Sequence, residues 1–225
     1  MHINWYGQSC FKIAAQGDKK SKQWTNILID PYDESIGLKM PKMEADILLS
    51  THDHYDHNDR KCLKTTPFII DGPGEYEVKD IFIKGVSSFH DESKGSERGI
   101  NTIYTILAED INLCHMGDFG EKELSSEQIE KIGSVDVLFI PVGGVYTIDA
   151  KGAARVISQI EPRMVIPMHY KIPGVKVDIH ELSDFLKAIG EKGAKTEEKL
   201  VLQRKDFSGD DMKVVPLVSQ AKKAA

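Results

Sequence analysis

The chain has 225 residues, 40% hydrophobic and 28% charged, with a formal net charge of −6. That length holds a substantial packed core, and the ordinary apolar content with charges of mixed sign excludes disorder as the dominant state. The acidic balance argues against a general nucleic-acid binder, which needs a basic face. No apolar run approaches the roughly 20 residues that cross a bilayer. The opening Met1-His2-Ile3-Asn4-Trp5-Tyr6 lacks the basic and apolar regions of a secretory signal. Cys10, Cys62 and Cys114 are odd in number and without paired spacing, so they read as reduced thiols of a soluble, cytoplasmic protein.

Short β-type runs lead the chain: Ile3 to Tyr6, Cys10 to Ala14 and Asn26 to Ile29, interrupted by Gly7 and by a polar loop from Gln16 to Gln23 expected as a solvated hairpin tip. Ile47-Leu48-Leu49 has the continuous apolar character of a strand buried on both faces. Gly72-Pro73-Gly74-Glu75-Tyr76-Glu77 reads as a Pro-Gly turn. Phe68 to Ile70, Ile81 to Val86, Ile103 to Leu107 and Ile111 to Cys114 continue the strand series. Beyond Asp118 helices enter. Ser125-Ser126-Glu127-Gln128 forms a capping box for a helix closing at Gly133, and Asp149 caps a second that Pro162 ends. Between and after them stand strands at Val137 to Ile140 and Met164 to Ile166. Leu182, Phe185, Leu186 and Ile189 mark a third amphipathic helix. Leu200 to Gln203 and Val214 to Val218 read as closing strands, and Ala221 to Ala225 as a frayed end. The order suggests one domain over 1–225, with two sheets face to face and helices outside.

The chemistry concentrates directly after the buried strand Ile47 to Leu49, in Ser50-Thr51-His52-Asp53-His54-Tyr55-Asp56-His57. No packing rule asks for three histidines and two aspartates within six positions, whereas imidazole and carboxylate are preferred ligands of Zn²⁺ and similar divalent ions. On a loop leaving a strand, His52 and His54 can chelate one ion while Asp56 and His57 reach a second.

The H-x-H-x-D-H run after a buried strand resembles the hallmark of the metallo-β-lactamase superfamily. Asp30 in Leu28-Ile29-Asp30-Pro31, Gly117-Asp118, and His169 in Ile166-Pro167-Met168-His169 match further family motifs in order. The resemblance implies a four-layer αββα sandwich of two mixed sheets with helices outside and metals at one sheet edge. It also implies that Asp30 supports the metal loop, that Asp118 bridges the ions, and that His169 is the last histidine ligand. The Gly72 to Glu77 segment resembles the branch containing L-ascorbate-6-phosphate lactonase. His90 and His115 compete for the remaining ligand position. His90 follows a separate strand and matches the family's middle histidine; His115 lies on the strand that leads to Asp118, and then supports a ligand or is a core histidine.

The class B β-lactamases carry a cysteine at the bridging position and lack the final histidine of the run, so Asp118 and His57 argue against antibiotic hydrolysis. His54 stands where flavin-coupled di-iron relatives carry glutamate. Nuclease relatives insert a domain between Gly-Asp and the last histidine, whereas 50 residues (119–168) lie there in this chain. The expected reaction is therefore two-metal hydrolysis of a small, anionic ester, lactone or phosphodiester: His52, His54 and His90 hold one ion, Asp56, His57 and His169 the other, with Asp118 between them. Asp56 and Asp118 are the expected catalytic carboxylates. Zn²⁺ is the default from ligand type, and Mn²⁺ or Fe²⁺ also suit the set. Gly143 and Gly144 are expected to bring backbone close to substrate; Tyr146, Thr147, Tyr170 and Lys171 are further candidate substrate contacts. The expected partner is a small molecule, not a membrane or nucleic acid, and a homo-oligomer is compatible with the sequence. The alternative is a non-catalytic metal-binding or regulatory protein on the same fold.

Overall fold

The computed structural model describes residues 1–17, 23–209 and 211–224, so the expected loop tip at 18–22 lies outside the described residues. The first half is almost entirely strand: β1 (His2–Trp5), β2 (Phe11–Gln16), β3 (Trp24–Ile29), β4 (Leu38–Lys39), β5 (Ile47–Leu49), β6 (Phe68–Ile70), β7 (Gly74–Val78), β8 (Ile81–Phe89), β9 (Ile100–Ala108) and β10 (Ile111–His115). The second half alternates: α1 (Ser126–Ile132), β11 (Val137–Pro141), α2 (Ala150–Ile160), β12 (Met164–Met168), α3 (Leu182–Ala188), then β13 (Leu200–Val201), β14 (Lys213–Val214) and β15 (Lys222–Lys223).

Two mixed sheets result, in the orders β13-β1-β2-β3-β5-β6 and β14-β12-β11-β10-β9-β8-β7. The α/β fold class is the one expected. β2 shows why the first sheet has two faces: its residues alternate between buried and half-buried along Phe11–Gln16. Phe11, Ile13, Ile27, Ile29, Ile47 and Leu49 share one core with the second sheet, where the Phe11 ring lies 4.6 Å from that of Phe139. Ala153, Val156 and Ile157 of α2 and Phe185 of α3 join that core. Cys10, Leu28 and Leu48 instead lie in a second cluster with Tyr32, Ile36, Met43, Val175 and Ile179, so turns and loops cover the first sheet there. The expected caps form as their chemistry dictates: Ser125 and Gln128 make a reciprocal capping box, and Asp149 accepts from the Gly152 N–H at 2.8 Å.

Three readings of the sequence are corrected. Residues 74–78 are not a turn but the edge strand β7: Gly72-Pro73 complete the turn, after which Glu75 and Glu77 are exposed while Tyr76 and Val78 pack on the core. The Val214 to Val218 run is a strand only over Lys213–Val214, because Pro216 has no N–H to give a ladder. The tail is not frayed. β15 pairs with β4, Gln220 N–H donates to the Trp5 carbonyl at 2.8 Å, and Ala224 N–H to that of Gly37 at 3.0 Å.

Candidate metal centre

Strand direction, rather than proximity in sequence, assembles the histidines. β3 and β5 run parallel in the first sheet; in the second, β10, β11 and β12 are parallel, and β8 points the same way because β9 is antiparallel to both β8 and β10. Asp30 follows β3, the His52 to His57 loop follows β5, His90 follows β8, Asp118 lies just beyond β10 and His169 follows β12. All therefore emerge at carboxyl ends of strands, where α/β sheets place their ligand sites. The turns there need unusual backbone. Asp30 (φ 49°) and His169 (φ 52°) are left-handed without being glycine. At Gly117 (φ +57°) a Cβ would stand 2.3 Å from the Asn101 side-chain oxygen, so only glycine admits that turn.

One carboxylate oxygen, Asp118 Oδ2, faces three imidazoles: His57 Nε2 at 3.2 Å, His169 Nε2 at 3.3 Å and His90 Nε2 at 3.4 Å. Two ligand atoms bound ~2.0–2.1 Å from one tetrahedral Zn²⁺ stand about 3.3–3.4 Å apart, so these separations have the dimensions of ligand-to-ligand edges. Among the described residues, three sets of ligand atoms lie within 4.8 Å of one another: His52, His54 and His90; His52, His57 and Asp118; Asp56, His57 and His169. His52 Nε2, His57 Nε2, His90 Nδ1 and His169 Nδ1 are buried without a hydrogen-bond partner. For His52 and His57 the buried Nε2 is costly unless something engages its lone pair, which a divalent ion does; on His90 and His169 the unpartnered atom is Nδ1, across the ring from the Nε2 that faces Asp118. The donor set thus fits a metal.

Supporting hydrogen bonds fix the ring orientations. Buried Asp30 accepts from the Thr51 N–H through Oδ1 and from the Thr51 hydroxyl through Oδ2, each at 2.8 Å. The same Oδ2 lies 3.0 Å from His57 Nδ1, and Thr51 Oγ1 lies 3.0 Å from His52 Nδ1. Because the Thr51 proton goes to Asp30, His52 Nδ1–H donates to Thr51 and His52 turns an unprotonated Nε2 to the site. Burial opposes the charge of His57, but Asp118, Asp30 and Asp56 outweigh it and hold its pKa well above the ordinary imidazole value, so an ion bound at its Nε2 would displace a proton. Burial opposes ionisation of Asp118, but His169 and His57 hold its carboxyl well below the usual range, so it is a carboxylate. Burial keeps His52 and His90 neutral, the form that ligates.

His115 is placed otherwise. Its Nε2 lies 2.9 Å from the Ser9 carbonyl and its Nδ1 accepts from the Gly117 N–H at 3.1 Å, so both nitrogens are engaged in holding the turn before Asp118. Ser9 in turn donates to Asp118 Oδ1 at 3.1 Å, and Asn101 Oδ1 accepts from the Asp118 N–H at 3.0 Å. Neither Ser9 nor Asn101 was singled out by sequence reasoning; a fully buried asparagine within the apolar β9 is the signal that was there to read.

A cavity of about 520 Å³ opens before the cluster, lined by His54, Asp56, His90, Asp118 and His169 and, farther out, by Tyr55, Arg98, Tyr146 and Lys176. Tyr146 is thus where a substrate contact was expected; Tyr170 is not. Tyr170 is buried with its ring 5.0 Å from Trp5, and it lines a different surface hollow. Gly143 and Gly144 also fall outside the cavity lining. A Cβ at Gly143 would meet the His169 carbonyl oxygen at 2.1 Å, and at Gly144 (φ +60°) the His180 ring at 3.0 Å, so their missing side chains admit protein rather than substrate. Lys171 is likewise turned away, donating to the Val177 carbonyl at 2.7 Å.

The chain matches the family model described as the beta-lactamase superfamily domain over residues 2–169, a span that takes in every residue of the cluster. It belongs to the metallo-β-lactamase superfamily. A solved structure from Thermotoga maritima, described as a candidate Zn-dependent hydrolase of that superfamily, superposes with a TM-score of 0.76 at 33% identity, covering 96% of this chain and 97% of that one. The UPF0173 metal-dependent hydrolase of Thermoplasma volcanium is 28% identical over 217 residues, 84% of this chain and 92% of its own. A UPF0173 protein of Pyrococcus abyssi is 30% identical over 194 residues, 76% and 83% of the two chains.

Proposed function

We propose that the chain is a metal-dependent hydrolase with a dinuclear centre, acting on a small, anionic ester, lactone or phosphodiester. The observation that carries this reading is the single oxygen Asp118 Oδ2 set 3.2–3.4 Å from three imidazole nitrogens contributed by three separate strand ends. His52, His54 and His90 would hold one ion and Asp56, His57 and His169 the other, with Asp118 shared. The relatives described as metal-dependent hydrolases support the class. Two divalent ions, Zn²⁺ by ligand type with Mn²⁺ or Fe²⁺ acceptable, lower the pKa of water toward neutrality and supply Lewis acidity when bound.

The chain's own residues do the rest. Asp30 holds His57 and, through Thr51, His52 in the tautomers that present Nε2. Ser9 and Asn101 hold the Asp118 carboxylate and its backbone, fixing the oxygen that faces the imidazoles. Asp56 is the most accessible carboxylate of the cluster, its side chain 15% exposed, and it lines the cavity, so it accepts the proton of the attacking water and returns it to the leaving oxygen. The cavity admits a small molecule, and no described helix is long and apolar enough to cross a membrane.

The test is a panel of lactones, phosphodiesters and aryl esters offered to metal-stripped and metal-loaded protein. Turnover of one class that appears only on loading and disappears in Asp118→Ala supports the reading. Two bound equivalents with no turnover of any class overturn it in favour of the non-catalytic alternative.

A further inference from the structure

We propose that Arg98, seated on Tyr146 and helped by Lys176, is a binding subsite for an oxyanion (a carboxylate or phosphomonoester) carried by the substrate away from the bond that is cut. This deepens the hydrolase reading, and its substrate class rests on that reading.

Arg98 sits on the loop that begins immediately after His90. That loop is pinned at both ends: His90 N–H donates to the Gly99 carbonyl at 3.1 Å and Gly99 N–H to that of Gly95 at 3.0 Å. Its interior is organised by buried Asp91, whose carboxylate accepts from the N–H groups of Gly95 (2.9 Å), Glu97 (3.1 Å) and Arg98 (2.8 Å). The backbone of Arg98 is therefore fixed relative to the histidine cluster. The side chain is held from another element. Its guanidinium carbon lies 5.7 Å from the centroid of the Tyr146 ring, within cation–π range. Tyr146 comes from the loop between β11 and α2, where Val145 has φ 61°, a left-handed conformation that a β-branched residue adopts only when its surroundings impose it. Two loops from different strand ends thus converge to present one guanidinium to the cavity.

The charge there is available for a ligand. The nearest carboxylate to Arg98 is Glu97, at 4.0 Å, itself 61% exposed and already accepting from Ser93 at 2.9 Å, a pairing of little strength. Lys176 lines the same cavity and forms no ion pair among the described residues. Of the lining carboxylates, Asp118 faces the imidazoles and Asp56 lies beside His57 at 3.8 Å, while Asp178 lines the cavity near Lys176. A planar guanidinium matches a carboxylate or phosphate bidentately, which an ammonium does not. Arg98 therefore reads the anion, and Lys176 adds charge.

The experiment uses zinc-loaded protein and two readouts. Calorimetry measures binding of succinate, glutarate, adipate and glycerol phosphate to the parent, Arg98→Gln, Arg98→Lys and Tyr146→Leu; kinetics compares neutral with carboxylate-bearing p-nitrophenyl esters. At least one of the four anions should bind the parent and bind Arg98→Gln about 10–100-fold more weakly, the scale of a lost hydrogen-bonded charge pair. Arg98→Lys and Tyr146→Leu should fall between, and all variants should keep the parent's zinc content. KM for charged esters should rise in Arg98→Gln while neutral esters are unaffected. Preference for glycerol phosphate or for a dicarboxylate identifies the anion. Binding in Arg98→Gln within about threefold of the parent, or no binding of any anion by the parent, overturns the subsite. Loss of anion binding without turnover of any ester would leave the subsite standing and the hydrolase reading refuted; turnover indifferent to charge and to Arg98→Gln would do the reverse.

Discussion

Asp30→Asn is the sharpest perturbation of the supporting network, because it exchanges one oxygen for an NH₂ group without changing shape. In the parent, Asp30 Oδ2 receives the Thr51 hydroxyl at 2.8 Å and faces His57 Nδ1 at 3.0 Å, while Thr51 Oγ1 sits 3.0 Å from His52 Nδ1. With an amide there, the two N–H groups point at Thr51 Oγ1 and at His57 Nδ1. His57 must then accept at Nδ1 and carry its proton on Nε2. Thr51, no longer donating to residue 30, turns its proton to His52 Nδ1 and reverses that ring too. The bond from the Thr51 N–H to Oδ1 survives, so the fold remains. Each reversed ring forfeits one charge-assisted or charge-relayed hydrogen bond, about 1.5–3 kcal/mol, so affinity for each metal equivalent should fall about 10–100-fold. Competition between the protein and a zinc chelator measures this, and two-bond ¹H–¹⁵N spectra of the imidazoles read the tautomers. Affinities within about threefold of the parent, with Nε2 still unprotonated, would refute the tautomer argument.

Further expectations concern single residues. His90→Ala should lose one zinc equivalent, whereas His115→Ala should keep both and bind them about 10–100-fold more weakly, measured by elemental analysis of the purified variants. Asn101→Ala leaves the buried Asp118 N–H, the Met116 carbonyl and the Ser88 hydroxyl short of a partner, and should cost about 2–4 kcal/mol in urea unfolding. Truncation after Val218 removes β15 and the backbone bonds of Gln220 and Ala224; a loss of about 2 kcal/mol should lower Tm by about 4–8 °C in calorimetry.

What the sequence disclosed about the site follows from how local each signal is. His52 to His57 announce themselves because ligand residue types are packed into one loop after an unmistakably buried strand. Their meeting with His90, Asp118 and His169 depends on the common direction of β8, β10 and β12, which no short stretch contains; the family resemblance supplied it. The place of His90 after a separate strand already favours it over His115 in the sequence, and what only the structure adds is the Ser9 carbonyl and Gly117 N–H that engage both nitrogens of His115. Ser9 and Asn101 escaped because a lone polar residue in a short apolar run is usually a surface position. Arg98 escaped because it stands in a loop of charges, Asp91 to Arg98, that looks like a solvated tip until Tyr146 is seen beneath it. Tyr170, next to a ligand in sequence, packs on Trp5 instead because β12 ends at Met168 and the left-handed backbone at His169 (φ 52°) redirects the chain between them.

The central claim is a two-ion centre, and the count of zinc bound per chain tests it most directly. Stripped parent protein dialysed against buffered free zinc and then analysed for metal should hold two equivalents, with Asp118→Ala, measured alongside, retaining at most one tightly. A parent that saturates at one equivalent or binds none, or an Asp118→Ala variant that holds both as tightly as the parent, would contradict it.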